Sequence, residues 1–189
     1  MKAILILCFL VFNRNILVSA TSLEYDYSSY SATSTNVNLS GQSISCTTSG
    51  QSAVYITSDG ITISNSTITK SGDFSGDTED SEFYGLNAAI LVQGGGLTMI
   101  GGNISNSAKV SNALVAKNWG TVTISGTTIT SAGSSSARGL YATYEGVITA
   151  TNVTISSTGG SCATLAKDKG EGTALVLDAL YPQVDLEVH

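Results

Sequence analysis

One stretch of the chain decides the fold, and it runs from Gly120 to Gly160 as GTVTISGTTITSAGSSSARGLYATYEGVITATNVTISSTGG. Within it, VTISGTTIT from Val122 and ITATNVTIS from Ile148 share one pattern, in which apolar residues alternate with Thr or Ser. A period of two residues predicts β-strand. Gly or Asn interrupts each segment, and both residues tolerate the left-handed backbone of a tight corner. Each segment therefore predicts two short strands joined by a corner.

The segment occurs four times, since ITISNSTIT from Ile61 and LTMIGGNIS from Leu97 align with it without gaps. A second apolar strand precedes each copy, and a fifth follows: AVYITS from Ala53, AAILVQ from Ala88, ALVAKN from Ala113, GLYATY from Gly139 and ATLAKD from Ala163. One unit of this size cannot bury its own apolar face, whereas stacked units can. We therefore expect equivalent isoleucines to stack in one internal column: Ile68, Ile104, Ile129 and Ile155.

This periodicity predicts an all-β fold, a right-handed parallel β-helix of about four to five coils. A β-sandwich is the alternative, but it does not require the same corner residues to recur at a fixed interval. We assign residues 21–52 to an N-terminal cap or partial first coil and residues 53–172 to the repeats. Residues 173–189 lose the Ser/Thr alternation, so we expect an irregular or truncated end there, with a short capping helix over 175–180 as one option.

The first twenty residues have the layout of a secretory signal peptide. Lys2 precedes the apolar run Ala3–Phe12, and the small residues Ser19 and Ala20 offer a cleavage site. A membrane anchor is the alternative, but the run is too short to span a bilayer. We expect cleavage after Ala20, a secreted or cell-surface location, and no membrane span in the mature chain.

The charge balance is acidic, with 8 basic and 14 acidic residues and a net charge of −6. Loss of Lys2 and Arg14 with the signal peptide would leave 6 basic residues and a net charge of −8. Such a chain is poorly suited to nucleic acid or anionic membranes. The single histidine, His189, excludes a histidine triad within this sequence. Cys46 and Cys162 fall several coils apart, beyond disulfide reach, so we expect no bond between them.

An acidic insertion lengthens the first repeat interval, at residues 72–84. Its five carboxylates are candidates for weak calcium binding: Asp73, Asp77, Glu79, Asp80 and Glu82. Their spacing matches no EF-hand or nonapeptide pattern, so a mobile, solvated loop projecting from a corner is the favoured alternative. Phe74, Phe83 and Tyr84 are candidate contacts for a glycan or protein partner. We expect no other cofactor.

Charged residues are thinly spread over the outward strand positions, and none forms a recognisable catalytic cluster. Lys117 and Lys167 align two coils apart, and Arg138 and Glu145 flank one strand closely enough to suggest a surface ion pair. We interpret these residues and Asp168 as solvated surface charges and predict no catalytic residue.

Four Asn-X-Ser/Thr sequons are candidate glycosylation sites: Asn38, Asn65, Asn103 and Asn152. An equally good interpretation is that Asn is simply a suitable corner residue.

The stretch Gly120–Gly160 resembles the repeats of right-handed parallel β-helix proteins of the pectin-lyase-like fold, of the adhesin-like and autotransporter-passenger-like type. The resemblance covers roughly residues 53–172. It implies a secreted structural or adhesive protein that binds surface glycans or partners without catalysis. The family also contains polysaccharide lyases and hydrolases, so a carbohydrate-active enzyme is the alternative, although no catalytic residue of theirs matches a position here.

Ice binding is a second alternative, because Thr-X-Thr ladders on flat β-solenoid faces can order water. Thr121-Val122-Thr123 has this form, but Gly60 and Val147 replace the first threonine in other coils.

Overall fold

The computed structural model describes residues 19–22, 28–32, 37–160, 162–168 and 170–180. Most of the predicted signal peptide, residues 1–18, lies outside the described residues, as does the segment 181–189 that ends in His189. The signal-peptide assignment therefore stays a prediction.

The chain winds into a parallel β-helix of about five turns, as the repeats predict. One sheet has seven strands: β1 (Ser19–Ser22), β2 (Ser28–Ala32), β5 (Ser52–Ile56), β8 (Ile90–Gln93), β11 (Leu114–Lys117), β14 (Leu140–Thr143) and β16 (Leu165–Asp168). The other has ten: β3 (Asn38–Ser40), β4 (Ser43–Cys46), β6 (Ile61–Ser64), β7 (Thr67–Lys70), β9 (Gly96–Ile100), β10 (Asn103–Asn106), β12 (Thr121–Ser125), β13 (Thr128–Ser131), β15 (Val147–Ser157) and β17 (Thr173–Leu180). Described strands pair in parallel except β1 with β2. Helix α1 (Thr78–Tyr84) interrupts the second coil.

The predicted isoleucine column forms the core of the ten-stranded sheet. Ile68 pairs with Ile104, Ile104 with Ile129, and Ile129 with Ile155. Ile44 extends the column by one coil below Ile68. All five side chains are at most 2% exposed. Each winding therefore shields the apolar face of the next, which is the packing that a single unit cannot achieve.

The predicted corners are confirmed by the backbone. Asn65 and Asn152 adopt φ of 47° and 51°, and Gly101 and Gly126, at the same position in the intervening coils, adopt 66° and 60°. These are left-handed conformations, which Gly and Asn adopt at low cost.

The expectation of an irregular segment after Gly172 is wrong for residues 173–180. These residues form β17, which pairs in register with β15 from Val147 opposite Thr173 to Thr154 opposite Leu180. Ala174 and Val176 face the core, whereas the outward positions carry leucine in place of Thr or Ser. In β17 the outward Ser and Thr residues of the repeat are therefore lost, although apolar residues still occupy the inward positions.

The alignment of the fifth apolar strand is wrong by one residue. Leu140 pairs with Leu165, so Lys167 pairs with Ala142 and not with an outward position. Ala142 itself pairs with Ala116, the residue before Lys117. Lys117 and Lys167 are therefore not equivalent, and a one-residue slip along a strand reverses the face on which a side chain lies.

Candidate functional site

The seven-stranded sheet is buried on both faces over much of its length. Its inward residues join the main core, and outward residues form a second apolar cluster: Tyr55, Ala88, Leu91, Val115 and Tyr141. All of them are at most 2% exposed. An outward row on a surface sheet is normally hydrated, so another element must cover it.

Helix α1 and the turn after it cover this outward row. Asp77 caps the helix by accepting a hydrogen bond from the Glu79 N–H at 3.0 Å. Gly85 ends it with φ of 70°, and its Cα lies so close to Leu91 and Val115 that a Cβ would fall 2.8 Å from Val115 Cγ1. The expectation that the acidic insertion projects from the shaft is therefore wrong for residues 78–84.

Buried polar contacts fix the helix to the next coil. The Ser81 hydroxyl, which is fully buried, donates to the Val110 carbonyl at 3.1 Å. The Asn112 side-chain amide donates to the Ser81 carbonyl at 3.2 Å. Buried hydrogen bonds of this kind are costly to break, because each one leaves an unsatisfied group behind.

The five carboxylates of the insertion are placed separately. Asp73 accepts from the Lys109 N–H at 2.8 Å, Asp77 caps the helix, and Glu82 faces the shaft. Glu79 is exposed and Asp80 is half-buried in the first helical turn, where acidic residues favour the helix dipole. Across the described residues, no three His, Cys, Asp or Glu side chains are grouped to hold a metal ion. Calcium binding by this insertion stays a prediction.

Arg138 does not pair with Glu145, because β14 separates them along its length. Its guanidinium lies instead 3.6 Å from the Glu82 carboxylate and 4.9 Å from the centre of the Tyr141 ring. Burial raises the pKa of Tyr141 to about 12, with Asp168 and Glu82 acting in the same direction and Arg138 opposing them. The ion pair between Arg138 and Glu82 therefore joins α1 to the seven-stranded sheet.

Lys117 is not a solvated surface charge, because it is only 3% exposed. Its ammonium lies 5.2 Å from the centre of the Tyr84 ring, at the end of α1. An ammonium over an aromatic face is attracted by the negative charge of the π-system. Burial nevertheless lowers the pKa of Lys117 to about 8.

Three aromatic side chains, which we call the aromatic corner, lie at the corner beyond Lys117: Tyr84, Trp119 and Tyr144. The Tyr84 and Tyr144 rings stack with centroids 6.0 Å apart and planes 9° apart. The Trp119 backbone N–H donates to the Tyr144 carbonyl at 3.4 Å, which joins the two neighbouring turns. Trp119 is 71% exposed and Tyr84 is 38% exposed.

Of this corner, sequence reasoning singled out only Tyr84. Trp119 directly precedes Gly120, and Tyr144 lies two residues before Gly146, so both aromatic residues fall in the turns of consecutive coils. Their position in these turns is the signal that the sequence offers for the aromatic corner. Both adopt left-handed backbone, with φ of 67° and 45°. Asn118 and Glu145 in the same two turns also adopt it, with φ of 48° and 60°, so the left-handed backbone is a property of this turn in successive coils.

Three exposed carboxylates, which we call the acidic rim, continue the same corner toward the C-terminal coil: Glu145, Asp168 and Glu171. Val147 pairs with Thr173, which places the turn residues Glu145 and Glu171 side by side in consecutive coils. The Glu145 N–H donates to the Gly170 carbonyl at 2.7 Å. Thr143 pairs with Asp168, so this third carboxylate stands on the neighbouring strand.

The four sequon asparagines are all exposed. Asn65 and Asn152 occupy equivalent corners, whereas Asn38 and Asn103 begin strands. The positions are accessible, and glycosylation itself stays a prediction.

The outward face of the ten-stranded sheet carries one continuous threonine column, formed by Thr62, Thr98, Thr123 and Thr149. The neighbouring column contains Gly96, Thr121 and Val147 and is therefore interrupted. A regular pair of threonine columns does not form on these strands.

No protein-family model matches the chain, and no curated protein or solved structure compared with it is detectably similar. No described helix has both the length and the apolar character needed to cross a membrane.

Proposed function

We propose that the chain is a secreted, adhesin-like β-helix protein that binds a surface glycan at the aromatic corner without catalysis. The observation that carries the proposal is the 71% exposure of Trp119, whose backbone N–H is bonded to Tyr144, at the corner where the Tyr84 and Tyr144 rings stack. Tyr and Trp are favoured at binding surfaces because they offer a rigid apolar face with a polar edge. The C–H face of a sugar ring packs on such a surface while its hydroxyl groups stay hydrated.

The shaft supports this function by holding the aromatic residues rigidly. Tyr144 and Trp119 belong to adjacent turns whose strands are fixed by the parallel ladder. Tyr84 is placed by α1, which is tied to the sheet through Glu82 and Ser81. A preorganised surface binds more tightly because little conformational entropy is lost when the ligand arrives.

The test is a glycan array followed by calorimetric titration of the best ligand. We expect Trp119→Ala to weaken binding at least about tenfold, a loss of roughly 1.4 kcal/mol, and Trp119→Phe to weaken it less. Ile100→Ala is the matched control, because Ile100 is a 49% exposed apolar residue on the other sheet. Binding that Trp119→Ala leaves unchanged, or the absence of any bound glycan, overturns the proposal.

The enzymatic alternative is separated by the same samples. Each bound polysaccharide is incubated with the protein and assayed for new reducing or unsaturated ends. We expect none, and steady release of such ends would replace the adhesin proposal with a carbohydrate-active enzyme.

A further inference from the structure

We infer that strand β17 is a self-association surface, at which two copies of the chain meet edge to edge and form a closed dimer. Strand β17 pairs with β15 on one side, and within the described part of the chain no strand lies on its other side. The outer backbone groups of such an edge can pair with a strand from another molecule. The inference does not depend on the proposed glycan binding.

Strand β17 is apolar on the face that is polar in the other coils. Its outward residues Leu175, Leu177 and Leu180 are 51%, 48% and 68% exposed. The positions of β15 that pair with them all carry threonine. Edge strands usually carry charged or polar residues that prevent association. A row of leucines on this edge therefore favours contact with another chain.

The inward side of the same strand is also incompletely covered. Ala174, Val176 and Ala179 pack against the main core but are only partly buried. The three residues of β15 that pair with them are at most 2% exposed. Because burial of apolar surface drives association, the best partner is a strand that is apolar on both faces and lies along β17.

A second copy of β17 is a strand of this kind. In an antiparallel pair, opposite residues point to the same side of the sheet, so the leucines of the two copies meet and their inward residues meet. A head-to-tail stack would instead place Leu175 and Leu177 against polar residues, because the first coil has Asn38 and Ser40 in the same two columns. Contact between like ends closes about a two-fold axis, so the assembly stops at two copies.

The charge at this end of the shaft allows two copies to approach. Residues 165–180 contain two lysines and three carboxylates, a net charge of −1, whereas the full chain carries −6. Lys167 and Asp168 are neighbours on β16, the last strand of the other sheet, and both are exposed. Each copy therefore presents both signs of charge to the other, and like-charge repulsion is weak.

The experiment is sedimentation equilibrium of the protein over a wide range of concentration, for which we expect monomer and dimer with no larger species. The double variant Leu175→Thr with Leu177→Thr gives β17 the outward residues of β15, so it should keep the fold, as checked by circular dichroism. We expect it to raise the Kd of the dimer at least about tenfold. Ile100→Thr is the matched control and should leave the Kd unchanged, because Ile100 is 49% exposed and lies in the column of Leu177 in an inner coil.

A protein that stays monomeric at every concentration overturns the inference, as does a dimer whose Kd the double variant leaves unchanged. Species that grow beyond two copies overturn the closed arrangement and indicate head-to-tail stacking. Glycan titration of the same samples is a separate readout, since Trp119 lies outside β17. Loss of the dimer with glycan binding retained contradicts only the inference, and loss of glycan binding alone contradicts only the proposed function.

Discussion

The carboxylate of Glu82 lies 3.6 Å from the guanidinium of Arg138 and accepts a hydrogen bond from the Ser136 hydroxyl at 2.5 Å. The two charged side chains are only 25% and 18% exposed, so the pair is better shielded than an ordinary surface ion pair. It joins α1 to the segment before β14 and thereby sets the position of Tyr84, two residues after Glu82. The acidic insertion is thus part of the aromatic corner.

Glu82→Gln should loosen α1 while leaving the shaft intact, because it removes the charge and keeps the size of the side chain. We expect amide exchange over residues 78–84 to rise by roughly threefold to tenfold, equivalent to about 0.7–1.4 kcal/mol. The measurement is hydrogen exchange by mass spectrometry, with Glu79→Gln as the exposed control. Unchanged exchange in α1, or an equal rise throughout the core strands, would contradict this role for the pair.

Gly85→Ala should destabilise the protein more than an alanine at another left-handed glycine. At Gly85 the new Cβ would meet Val115 Cγ1 at 2.8 Å and Leu91 Cδ1 at 2.9 Å, with φ of 70°. Gly41 has φ of 62°, and a Cβ added there would meet nothing within 4 Å, so it isolates the backbone cost. We expect about 1–2 kcal/mol for Gly41→Ala and a further 1–3 kcal/mol for Gly85→Ala, measured by urea denaturation. Equal losses at the two positions would show that the turn after α1 moves away freely.

The core of the shaft could be predicted from sequence because its signal is repeated at fixed spacing. Ile68 and Ile104 are separated by the insertion, yet the shared pattern around them still aligned them correctly. The one-residue error at Lys167 arose because the last apolar strand has no distinctive residue to set its register. Strand β17 was missed because outward leucines at Leu175 and Leu177 hid an inward alternation that continues at Ala174 and Val176.

The site was harder to predict because it is created by tertiary contacts. Seven residues are too few to form a stable helix alone, so α1 depends on its cap at Asp77 and its packing on the sheet. The sequence alone does not reveal that a helix covers this sheet. Outward residues such as Lys117 therefore have the sequence pattern of solvent-exposed positions. Only the covered sheet shows that Lys117 is buried and that Tyr84 lies beside Tyr144.

Ile104→Ala should produce a large loss of stability because the side chain is 1% exposed and stacks between Ile68 and Ile129. Removing a buried isoleucine side chain typically costs about 2–5 kcal/mol, through lost burial and the cavity left behind. Ile100→Ala is the matched control, since Ile100 lies in the preceding strand and is 49% exposed. We expect that control to change the free energy of unfolding by about 0.5 kcal/mol or less. Similar losses for both variants in urea denaturation would mean that the isoleucine column does not form the core.

The stability of the protein should rise between about pH 8 and pH 10 and fall above it. Burial lowers the pKa of Lys117 from 10.5 to about 8, so the unfolded chain binds this proton more tightly than the folded one. Stability rises with pH wherever the unfolded state holds more protons, by up to about 1.4 kcal/mol per pH unit. Burial raises the pKa of Tyr55 and Tyr141 from 10.0 to about 12, so above pH 10 the unfolded phenols lose protons first and stability falls.

Lys117→Met identifies the source of the rise, because methionine keeps the apolar chain and removes the buried charge. We expect the variant to be more stable than the parent near pH 7, by roughly 1–3 kcal/mol, and to lose the rise between pH 8 and 10 while keeping the fall above pH 10. Lys109→Met serves as the control, since Lys109 is exposed and should leave the profile unchanged. Urea denaturation at each pH gives the free energies directly. If Lys117→Met kept the rise, some other group would carry the linkage and Lys117 would have to be solvated in the folded protein.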